Sequence, residues 1–107
     1  MAQDFERHIH RNIGSATTVF TSDSDDAVIG IRVANTHAST TVKVDVYVVN
    51  GGNNYYIIKS APVPAGGSLE LIDGGAKFVL QSGDALTIDA DASTSDWVVS
   101  RIDSIST

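Results

Sequence analysis

The chain has 107 residues, 42% of them hydrophobic and 19% charged, with a formal charge of -6 and no cysteine. That length suits one domain, which buries roughly two thirds of the surface its unfolded form exposes, enough for one core and not two. No apolar run approaches the roughly 20 residues needed to cross a bilayer, and the seven Lys and Arg are scattered along an acidic chain, so neither a membrane nor a nucleic-acid partner is expected.

Met1 to Arg11 mixes Asp4, Glu6, Arg7 and Arg11 with two histidines and has no apolar centre, so it does not read as a secretory signal. Residues 1–13 are expected to form an extended N-terminal arm, and 14–107 a β-sandwich domain. In the arm Phe5, Ile9 and Ile13 alternate with Arg7 and Arg11 and have no core of their own. These five are candidate protein-interface residues, which order against a neighbouring subunit or else fray. His8 and His10 share one side of an extended segment, but two imidazoles leave most of a tetrahedral shell empty, so they are expected to be polar arm residues and not metal ligands.

From Thr17 onward, period-two alternation, β-branched residues and regularly spaced turns mark an all-β sandwich of about eight short strands. Asp23, Asp25 and Asp26 lack the glycine and glutamate of an EF-hand loop and read as a solvated turn. Asp89, Asp91 and Asp96 read likewise. Ala27 to Asn35 has Ile29, Ile31 and Val33 on one face and Val28, Gly30, Arg32 and Ala34 on the other. A turn from Asn35 to Ser39 then leads to Thr41 to Val49, the clearest strand, with Val42, Val44, Val46 and Val48 facing the core; the two are expected to form a hairpin.

Asn50 to Asn54 tolerates positive φ and reverses the chain into a strand at Tyr55 to Lys59. Pro62 and Pro64 place Ala61 to Gly67 on an edge or crossover. Further strands are expected at Ser68 to Ile72, Lys77 to Gln81, Ala85 to Asp89 and Trp97 to Ile105, with turns at Asp73 to Gly75 and Ser82 to Asp84 and a loop at Asp91 to Ser95. Greek-key, jelly-roll and meander connections all fit these turns, and the strand number favours a jelly roll.

No chemistry is declared. There is no cysteine, no Gly-x-Ser-x-Gly elbow and no histidine beside a serine at a predicted strand end, and the glycine-rich Asn50 to Asn54 precedes no helix. The expectation is a non-enzyme with no catalytic residue, cofactor or metal. The aromatics suit binding better: Tyr47 lies on the more polar face of its strand, Tyr55 and Tyr56 point to opposite faces, and Trp97 opposes Val98 and Ile102. Either two sheets and their loops bury both faces, or Val28, Tyr47, Tyr55 and Trp97 belong to a contact patch on a sheet face, to which apolar Ala34, Val49 and Val99 also point.

The segments His10 to Gly14, Val28 to Asn35, Ala61 to Leu69 and Lys77 to Asp84, in this order and spacing, resemble small virion structural proteins of tailed bacteriophages, notably those of marine bacteria and cyanobacteria. The likeness runs from about His10 to Ile102. It implies a β-sandwich present in many copies on the particle, as a capsid decoration or cement subunit or as a neck, collar or tail component, with no catalytic residues. The partners it implies are the major capsid protein or other virion subunits, together with copies of the chain itself in a homo-oligomer. A carbohydrate-binding module on the virion surface, presenting Trp97, Tyr55 or Tyr56, is the alternative from another class.

Overall fold

Alternating side chains set the inner stripes of the strands found in the computed structural model, which describes residues 4–72 and 78–103. Among these residues the strands are β1 (Asp4–Ile13), β2 (Thr17–Thr21), β3 (Asp26–Asn35), β4 (Val42–Asn50), β5 (Asn53–Val63), β6 (Ser68–Ile72), β7 (Phe78–Leu80), β8 (Ala85–Ala90) and β9 (Ser95–Asp103). The turn expected at Asp73 to Gly75, the strand start at Lys77, the strand end at Ile105 and the arm residues 1–3 lie outside the described residues.

One sheet runs β1-β9-β3-β6, with β7 also paired to β3, and the other runs β2-β8-β4-β5. All pairings are antiparallel. The strand order is that of a jelly-roll sandwich, the architecture expected from the strand number. Val42, Val44 and Val46 face inward as their alternation requires and meet Ile31, Val33, Leu86, Ile88 and Val99 in one core cluster.

Three sequence expectations are corrected. The N-terminal segment is not a free arm: β1 pairs with β9 from Asp4 opposite Asp103 to His10 opposite Trp97. Its inward residues are polar because they sit over Arg101, which hydrogen-bonds both Glu6 and His8. The expected hairpin between residues 27 and 49 does not form, since β3 and β4 belong to different sheets. Asn35, 2% exposed, holds that crossover: its Nδ2 donates to the carbonyls of Thr40 (2.8 Å) and Val63 (2.9 Å), and its Oδ1 accepts from the His37 N–H (3.0 Å). Third, the β3–β9 register shifts between Val28 and Gly30. This bulge at Ile29 reverses the alternation, so Val28, expected on the outer face, is fully buried together with Ile31 and Val33.

The Gly51-Gly52 reversal is as expected: Asn50 pairs with Asn53 across two glycines at φ 59° and 82°, a primed hairpin turn. Pro62 lies in β5, an edge strand.

Where β1 leaves its sheet, a Cβ on Gly14 would stand 2.5 Å from Ser93 Oγ and 2.8 Å from Ser93 Cα. Gly14→Ala therefore has to displace backbone and is expected to cost about 1–3 kcal/mol in urea unfolding. Gly30→Ala, whose Cβ would meet nothing nearer than Glu70 Oε2 at 3.9 Å, is the control and is expected to leave the midpoint unchanged or raised.

Candidate docking face

Pairing with β9 turns the odd-numbered residues of β1 outward. Phe5 is 77% exposed and Ile9 58%, and Arg7 and Arg11 between and beyond them are exposed too. Ile13, the fifth residue of the expected arm patch, instead packs against the core. On β9 the neighbouring outward side chain is Val98, also exposed. Ile9, Arg11, Arg32, Ala34 and Val98 line a groove of about 490 Å³ across β1, β9 and β3. Alternation in the sequence already carried this face; what it lacked was the partner strand that turns the alternation into two sides.

The other expected patch is not brought together. Val28 and Trp97 are fully buried, and Tyr47 is buried on the second sheet, where its ring centroid lies 4.9 Å from that of Tyr56. Burial, followed by the charge of Asp89, raises the Tyr47 phenol above its ordinary pKa. Tyr55 is exposed, but Tyr55 and Tyr56 are adjacent on β5 and leave it on opposite faces. Tyr56 is covered on one side by the Lys59 ammonium, 4.5 Å from its ring centroid.

Beneath β1 lies a cluster that sequence reasoning missed. Arg101 extends into the sandwich end and donates to Asp26, to Glu6 and, at 3.0 Å, to His8 Nε2. Asp103 lies 3.6 Å from the same guanidinium. Phe20 stacks on the His8 ring at 4.9 Å and on the Arg101 guanidinium at 4.2 Å. Asp26, expected in a solvated turn, is fully buried and also accepts from Ser22 Oγ at 2.7 Å and Ser24 Oγ at 3.1 Å.

Asp23, Asp26 and Asp103 bring one carboxylate oxygen each within 4.8 Å of the others, and the guanidinium supplies the positive charge beside them. The Asp103 carboxyl is raised above its usual value by its hydrogen bond with Asp26, then by burial. His8 is lowered below its usual value by burial and then by Arg101. Its Nε2 lone pair accepts the Arg101 Nε–H, which gives the ring a structural role. The cluster fastens β1 to the sandwich and so holds Phe5, Arg7, Ile9 and Arg11 in register on the outside.

No protein-family model matches the chain, and no curated protein matches it. Among solved structures it is similar to the N-terminal endo-1,4-beta-D-xylanase 10B of Clostridium thermocellum, comprising CBM22-1 and GH10 modules complexed with xylohexaose, with a TM-score of 0.44 and 14% identity. That likeness covers 97% of this chain, which spans 25% of the other.

Proposed function

We propose that this chain is a non-catalytic structural subunit of a phage virion, a decoration or cement protein that binds the major capsid protein and stabilises the shell. It is made in the host cytoplasm and acts on the virion. The observation that carries this reading is the outer face of β1 and β9, where Ile9 and Val98 are exposed as cross-strand neighbours and Phe5 is exposed further along β1. An apolar strip on an outward sheet face is what a protein contact buries. The ordered segments from His10 to Asp84 that resemble virion structural proteins add the kind of assembly. Repetition on a symmetric particle lets a modest contact per copy suffice, because copies linked into a homo-oligomer gain avidity.

Cryo-electron microscopy and quantitative mass spectrometry of purified virions test the reading. On the order of hundreds of copies per particle are expected from repetition over a symmetric shell. A dozen or fewer would replace the shell assignment with a neck, collar or tail one, and absence from the particle would overturn both. Glycan-array binding lost in Tyr55→Ala or Tyr56→Ala would favour the carbohydrate-binding alternative, for which exposed Tyr55 is the supporting feature.

A further inference from the structure

We infer that the outer face of β1 receives an extended acidic segment of a partner protein, with carboxylates on Arg7 and Arg11 and an apolar side chain between them over Ile9. The inference deepens the virion reading and rests on it for the location of the partner. Arg7, Ile9 and Arg11 point outward from one strand, so they stand about 6.7 Å apart in sequence. Among the described residues Arg7 and Arg11 hold no ion pair. Of the nearby carboxylates, Glu70 pairs with Arg32 at 3.2 Å, and Asp96, which lines the groove with Arg11, accepts from the Asn12 N–H through Oδ1 at 3.0 Å.

A chain of net charge -6 thus presents, among its described residues, two guanidiniums without an ion pair on either side of an apolar side chain, and Ile9 and Arg11 line a groove with Ala34 and Val98. A free inorganic anion would leave Ile9 and Val98 uncovered. A second copy docking by the same face about a two-fold axis would bring these guanidiniums together. A strand with acidic, apolar and acidic residues at every second position, laid across this face, satisfies all three side chains at once.

The test is fluorescence anisotropy with two labelled peptides, one containing Glu-Thr-Val-Thr-Glu and the other Lys-Thr-Val-Thr-Lys. The acidic peptide is expected to bind at least about tenfold more tightly at low ionic strength and to weaken at about 0.5 M salt. Arg7→Glu/Arg11→Glu should reverse the preference. Lys43→Glu/Lys59→Glu, the same charge change at exposed positions of the other sheet, should retain it. Equal binding of both peptides, binding of neither, or equal losses in the two double variants would overturn the inference. Association with virions while neither peptide binds would overturn this inference alone. Acidic-peptide binding by a chain absent from virions would overturn the virion assignment alone.

Discussion

Trp97→Ala is expected to destabilise the domain by about 3–5 kcal/mol, the range for emptying a large aromatic site in a close-packed core. Trp97 is fully buried, and its Nε1 donates to Ser95 Oγ at 2.8 Å. Ser95 Oγ in turn donates to the carbonyl of Ile13. The indole therefore fills the core and also orients the hydroxyl that ties β9 to the end of β1. Because Trp97 is the single tryptophan, unfolding in urea is followed by circular dichroism. Tyr55→Ala, at a position 56% exposed, is expected to change stability by less than about 0.5 kcal/mol. A Trp97→Ala loss no larger than that of Tyr55→Ala would contradict the core assignment and return Trp97 to a surface role.

The contrast between these two residues shows what alternation could and could not reveal. In β4 the pattern of Val42, Val44 and Val46 marked the core directly, since one face is apolar and the ladder is regular there. In β3 the same rule gave Ile29 the core face and Val28 the outside, because a bulge adds one residue and reverses every assignment upstream of it. A single sequence shows no gap where a bulge falls. Gly30, next to it, was the one local sign.

Residues 4–13 were harder still, because the strand is inside out relative to the usual pattern. Its apolar residues Phe5 and Ile9 face outward, while Glu6 and His8 face Arg101, a partner more than ninety positions away. The outward alternation of Phe5, Arg7, Ile9 and Arg11 was legible, while the strand that supports it was not. Deleting residues 4–13 would strip β9 of a neighbour and Arg101 of two partners.

Arg101→Met is expected to cost about 3–5 kcal/mol near neutral pH, because it removes the guanidinium that pairs with a buried carboxylate. The carboxylate concerned is that of Asp26, which has no exposed surface and accepts directly from the guanidinium. Arg101→Met/Asp26→Asn should recover part of the loss, since a neutral amide can still bond Ser22 and Ser24. The pH dependence carries a sign that a simple packing defect would not. In the native protein His8 titrates below its ordinary value of 6.5, through burial first and Arg101 second.

The unfolded chain therefore binds more protons at His8 than the folded one, so the stability His8 contributes is complete above pH 6.5 and is lost as pH falls. Protonation also removes the Nε2 lone pair that accepts from Arg101. Asp103 works the other way: its raised native value favours the folded state below the ordinary carboxylate range, and that gain is lost as pH rises through the native value. Without the guanidinium, His8 loses one of the two main causes of its shift. The stability gap between native and Arg101→Met proteins should thus narrow from about pH 7 to about pH 5, a window set by the histidine and carboxylate ranges. Urea midpoints at the two pH values measure it, and a constant gap would mean that Arg101 stabilises β1 through its carbon chain and not through its charge.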